Sequence, residues 1–313
     1  MPRAAAVHRL AGVLAFAGIC GAVAMMLNAG PLQAQATPPS ETFQSRIENA
    51  ARALGNEPRL KNLPFEKRLA LTEFVVGNML FVVVHEIGHA AVSELDLPVL
   101  GREEDAADSF AIVAALHIGT EFSQRVLVES AKGWFLTDRR ASKEGEALAF
   151  YGEHGLDKQR AYQIVCLMVG SDPVKFRDLA EETKLPDDRQ GSCRRDYRVA
   201  SRSWEAVLAP HRHVEGQPKT RIDVIYGEGT GQLDVYARMF RDIRFLETIA
   251  DRVSENLDWK GPLALEMRSC GEVNAYWYKK DRKVHICYEM AQEFAELYRD
   301  FGPDRKYFKR RRK

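Results

Sequence analysis

Five consecutive residues, His85-Glu86-Ile87-Gly88-His89, bring two imidazoles and a carboxylate into one short stretch. On a helix, residues four apart share a face, so His85 and His89 could both reach one ion. Glu86, beside them, could face a water held by that ion. Zinc needs neutral imidazole nitrogens and an open position for such a water, whose pKa it lowers toward about 7. Glu86 would then act as general base, taking a proton as the water attacks a carbonyl and passing it to the leaving amine. The surrounding segment is apolar, and polar side chains in such a place are expensive unless paired or bound to something.

Two imidazoles need a third ligand. Glu104, fifteen residues after His89, is the candidate, within Glu104-Asp105-Ala106-Ala107-Asp108. Asp108, one turn further on, is placed to accept the remaining imidazole N–H, which would fix that ring and raise its basicity. The small Ala106 and Ala107 would let two helices approach closely. Glu103 and Asp105 read as acids favoured by the helix dipole. Asp105 or Asp108 stays open as the ligand in place of Glu104.

With His85-Glu86-Ile87-Gly88-His89-Ala90 and the run Leu97 to Asp108, the chain resembles the metallopeptidases grouped as domain of unknown function 4344. The Glu-x-x-Ala-Asp arrangement is similar to the gluzincin branch of zinc peptidases. Two further stretches extend the resemblance over roughly residues 60–295: Glu153-His154-Gly155-Leu156-Asp157 with Gln159-Arg160, and Cys270-Gly271-Glu272-Val273-Asn274-Ala275-Tyr276 with Cys287-Tyr288-Glu289. The resemblance implies a zinc hydrolase that cuts peptide bonds in a peptide or protein substrate. Zinc peptidases often place a His or Tyr near the developing oxyanion. His154 is the candidate, with a helix-start histidine partnered by Asp157 as the alternative; Tyr276 and Tyr278 read as packing. In zincins the sheet whose edge aligns the substrate precedes the active-site helix, whereas here the sheet signal follows it. The resemblance therefore implies a permuted order if the hairpin around Asn274 supplies that edge.

The elements that would position these residues are mostly helical. Phe65–Leu95 lacks internal proline and is apolar on every side in its middle, as expected of a helix through the centre of the molecule. Further helices are expected at Phe43–Leu54, Glu103–His117, Thr120–Phe135, Asp157–Met168, Pro173–Thr183 and Asp196–Leu208. After a seam at Pro210–Pro218 come a strand at Lys219–Tyr226, a helix at Gln232–Leu257 and a strand at Leu263–Met267. A hairpin follows, Glu272–Tyr278 with Lys283–Tyr288, and then a helix to Phe301. The fold class is α+β, predominantly α-helical, with a zincin-like active-site helix pair and a small C-terminal antiparallel sheet. The expected division is 1–36 signal peptide, 37–209 helical core, 210–304 small α/β region with a disulfide-linked hairpin, and 305–313 basic tail.

Arg3 and Arg9, the apolar stretch from Leu10, and Ala34-Gln35-Ala36 have the order of a secretory signal cleaved after Ala36. The protein is therefore expected to be exported, periplasmic or secreted, or membrane-anchored if the signal is retained; no other segment reads as a bilayer span. Cys20 leaves with the signal. The remaining Cys166, Cys193, Cys270 and Cys287 allow three pairings, of which the local one, 166 with 193 and 270 with 287, closes the shortest loops.

The 313 residues carry a formal charge of +1, yet seven of the last nine are basic, so the body is acidic. That argues against a nucleic-acid surface, and leaves the tail as a weak contact for a membrane surface. No Gly-x-Ser-x-Gly or phosphate-binding glycine loop is present. His211 and His213 read as solvated and His285 as an outward strand residue. Two other functions stay open: an inactive relative that binds metal for structure alone, and an envelope-associated helical interaction protein.

Overall fold

The computed structural model describes residues 42–58 and 60–302; the expected signal peptide and basic tail lie outside them. Its elements are α1 (Phe43–Ala53), α2 (Phe65–Leu95), α3 (Glu103–Ile118), α4 (Glu121–Glu144), α5 (Asp157–Ser171), α6 (Arg177–Thr183), α7 (Asp187–Leu208), β1 (Ile222–Tyr226), α8 (Asp234–Asp242), α9 (Phe245–Asn256), β2 (Leu263–Arg268), β3 (Ala275–Tyr278), β4 (Lys283–Cys287) and α10 (Tyr288–Phe301). The fold is mostly helical (65%) with a small mixed sheet.

Pro64 opens α2 with its fixed φ, and Asp96 closes it in the left-handed region at φ 55°. Between them 31 residues run unbroken, with buried side chains on all faces. By length and composition α2 does reach what a bilayer span requires, unlike the sequence expectation, but 72% of its apolar window is buried inside the protein. It is the core helix, packed by α1, α3, α4, α10 and β3.

Three boundaries differ from expectation for local reasons. Helix α4 continues past Phe135 to Glu144 because Leu136 is buried and Arg140 pairs with Glu293 of α10. Helix α7 starts at Asp187 behind Pro186, with two acids in its first turn to meet the helix dipole. The long helix expected after Gln232 breaks at Arg244, whose φ is 53°, giving α8 and α9.

The sheet corrects the expectation of an antiparallel one. Its order is β1-β2-β4-β3, with β1–β2 and β2–β4 parallel and only β3–β4 antiparallel. Helices α8 and α9 carry the chain from β1 back to the same end of the sheet, which makes β2 parallel to β1. The hairpin then inserts β4 beside β2 and leaves β3 at the edge. One continuous apolar core includes α1, α2, α7 to α10 and the inner face of the sheet.

Both local disulfides form, Cys166–Cys193 between α5 and α7 and Cys270–Cys287 across the base of the hairpin. At the first, Gly170 lies where a Cβ would meet the Cys193 carbonyl oxygen at 2.1 Å, so only glycine lets the two helices close to bonding distance. Two disulfides suit an oxidising compartment.

Candidate metal centre

Helix α2 carries His85, Glu86 and His89, and α3 carries Glu103, Glu104 and Asp108. The helices meet at Gly88, where an added Cβ would lie 3.1 Å from Ala107 Cα and 3.3 Å from Ala107 Cβ. A glycine on one helix against an alanine on the other brings the first turn of α3 against the histidine face of α2.

The contacts this produces are short and specific. His85 Nε2 lies 3.1 Å from Glu104 Oε2 and 3.1 Å from His89 Nε2, and His89 Nε2 lies 3.4 Å from the same Glu104 oxygen. A tetrahedral ion bound at about 2.0–2.1 Å holds its ligand atoms ~3.3 Å apart, which is the triangle observed. Two imidazole nitrogens at 3.1 Å also repel unless a proton or cation lies between them. The donor set, two imidazoles and a carboxylate, fits a divalent metal, and all its candidate ligand atoms lie within 4.8 Å of one another.

Each imidazole is fixed from behind. His85 Nδ1–H donates to Asp108 Oδ1 at 2.8 Å, and Arg160 Nε and Nη2 each donate to Asp108 at 2.7 Å. Asp108 is 3% and Arg160 8% exposed, and the guanidinium lies over the Trp134 ring at 3.8 Å. His89 Nδ1–H donates to Glu103 Oε1 at 2.8 Å. Both Nδ1 atoms are thereby committed as donors, leaving both Nε2 atoms for a metal.

Burial pulls the His85 pKa down, but Asp108 and Glu104 outweigh it and the net shift is upward. Burial likewise opposes His89, which Glu104 and Glu103 push up to about 9. Glu104 is raised by burial yet driven far below its ordinary value by His154, His85 and His89. Asp108 is also lowered against its burial, by His85 and Arg160.

Glu86 is different. Burial raises its carboxyl above the usual range, and the neighbouring histidines only partly offset this. It is 8% exposed, and its Oε2 accepts the backbone N–H of Trp277 at 2.9 Å. That donor lies on β3, so the hairpin does sit at the motif. A cleft of about 510 Å³ opens over these residues, lined also by His154, Trp134, Val273, Asn274 and Tyr276.

His154 Nε2 meets Glu104 Oε2 at 2.8 Å from a half-exposed loop position. Tyr276 stacks on His285 at 5.1 Å between ring centroids. His285 lies on the face of β4 opposite the core residues Val284 and Ile286, as expected, but is only 7% exposed because Tyr276 covers it. His213 is also not solvated: its Nδ1 lies 2.5 Å from Asp258 and its side chain is 7% exposed.

Three participants were not readable as such. Glu103 looks like any helix-start acid, Arg160 lies 52 residues from the aspartate it holds, and the Trp277 donor is backbone. Only the spacing of Gln159-Arg160 after His154 hints at the second.

Helices that converge a His/Glu triad beneath an open cleft define a candidate metalloprotein of α-rich fold. Residues 53–208 and 228–310 match the family model of domain of unknown function 4344, described as "Putative metallopeptidase". The chain belongs to this family. No curated protein and no solved structure matches it.

Proposed function

We propose that this is an exported zinc-dependent peptidase in which α2 and α3 act as a zincin-like helix pair. His85, His89 and Glu104 would hold the ion, and Asp108 and Glu103 would orient the two imidazoles. A zinc ion held there activates water and polarises a carbonyl. Glu86, with Oε2 engaged by Trp277, uses Oε1 to accept the proton of the attacking water and returns it to the leaving amine. Its raised pKa suits a carboxyl that must both take and release a proton. His154, reaching over Glu104, donates to the oxygen that gains charge during attack. As the edge strand of the sheet, β3 aligns an extended peptide by strand addition, which is the permuted order expected above. The two disulfides support export.

The observation that carries the reading is the triangle of Nε2, Nε2 and Oε2 with edges of 3.1, 3.1 and 3.4 Å, next to a buried carboxyl that faces a cleft. Elemental analysis of the purified protein should find about one zinc per chain. Glu86→Gln should keep that zinc and lose hydrolysis of unstructured protein substrates. Absence of zinc would end the metal reading; zinc without hydrolysis in the parent protein would leave a structural metal site.

A further inference from the structure

The stretch Cys270 to Tyr276 with Cys287-Tyr288-Glu289 lies apart from the His85/His89/Glu104 cluster, and its two cysteines are bonded to each other, yet it is built as one unit. Glu289, in the first turn of α10, accepts the backbone N–H of Cys270 at 3.0 Å and of Gly271 at 2.7 Å on Oε1, and Cys270 again at 3.1 Å on Oε2. Gly271 has φ 82°, a conformation open to glycine, and it turns two successive N–H groups toward one carboxylate. Cys270 is also bonded to Cys287, at the end of β4. Four residues after Cys270, the Asn274 carbonyl accepts the Cys287 N–H at 3.1 Å. The loop entering β3 is thus tied to the start of α10 by a covalent bond and several hydrogen bonds.

The other end of the hairpin is also tied, since Arg282 in its turn pairs with buried Glu94 of α2. Helix α10 itself packs on α2. A strand of four residues with a single neighbour is weakly held by its ladder alone, so these end attachments, together with its packing on α2, set where β3 lies. What β3 delivers to α2 is the Trp277 N–H on Glu86.

We propose that Glu289 and the Cys270–Cys287 disulfide form a clamp that sets β3 at the height where Trp277 meets Glu86, making Glu289 a positioning residue for the proton transfer. The activity part of this rests on the peptidase reading; the structural part does not. Without the clamp, the entering loop and the edge strand drift from α2. Glu86 then loses the partner that turns its Oε1 toward the cleft, while α2 and α3 keep the metal ligands together.

The test compares Glu289→Ala, Glu289→Gln and the Cys270→Ser/Cys287→Ser pair with the parent protein. It reads zinc per chain, kcat and KM on a mixture of quenched fluorescent peptides, and amide exchange resolved at Trp277. Glu289→Ala should retain zinc and KM, lose about 10–100-fold in kcat, and exchange the Trp277 amide at least about tenfold faster. Glu289→Gln keeps an amide oxygen able to take both N–H groups and should restore most of both. The cysteine pair should behave like Glu289→Ala, and it decides the matter if that variant does not fold. Unchanged Trp277 exchange in Glu289→Ala overturns the clamp, as does loss of zinc in proportion to kcat. If the parent cleaves nothing but Trp277 exchange responds as stated, the clamp stands and the peptidase reading falls.

Discussion

Asp108→Ala removes the acceptor of His85 Nδ1–H and both acceptors of Arg160 in one step. Two separate losses follow. Arg160 is left as a buried cation without its partner, which costs about 3–5 kcal/mol of stability, a large part of the roughly 5–15 kcal/mol a domain has. His85 loses the group that fixes its ring, which costs about 10–100-fold in metal affinity, or ~1.4–2.8 kcal/mol. Urea unfolding of the metal-free protein reads the first and competition with a chelator reads the second. The two separate in Asp108→Ala/Arg160→Met, where the stranded charge is gone and a flexible apolar chain still covers Trp134. This double variant should recover roughly half or more of the lost stability while its zinc affinity stays low. Recovery of parental zinc affinity in the double variant would refute the reasoning, because Asp108 would then act by balancing Arg160 and not by holding His85.

At Gly88 an added methyl meets α3 backbone at 3.1 Å and Phe110 at 3.2 Å, so Gly88→Ala should cost about 1–3 kcal/mol and weaken zinc binding by moving Glu104, seen in thermal melts and chelator competition. His89, at about 9 against an ordinary 6.5, carries a proton at pH 7 that zinc must displace. Zinc uptake at pH 7 should therefore release protons, read as a calorimetric enthalpy that varies with buffer, and affinity should rise up to about pH 9. The sign for folding is the reverse. A raised histidine stabilises the metal-free fold fully below 6.5, and that contribution is lost as pH rises through about 9, which urea midpoints across this range would report.

Legibility followed the range of the interactions. The span of α2 matched its apolar pattern to the residue, because a 31-residue run without proline has few alternatives. Of the candidate cluster His85, His89 and Glu104, the histidines follow from local helical spacing, whereas the sequence left Asp105 and Asp108 open beside Glu104, because that residue comes from the next helix. The sheet does not follow locally, since strand direction depends on how α8 and α9 return the chain. Glu103 was hidden by a sufficient local explanation, its place at a helix start. The partner of Glu86 left no trace at all, since a backbone N–H is common to nearly every residue. Hairpin position at the motif was readable only through the family resemblance.

The bond between Glu86 and Trp277 spans 191 residues of chain. During synthesis every candidate ligand leaves the ribosome long before β3 does. A nascent or truncated chain ending before residue 275 would carry the whole candidate triad and still lack the N–H that Glu86 accepts. Closure of this contact between motif and hairpin is thereby deferred to the last part of the polypeptide.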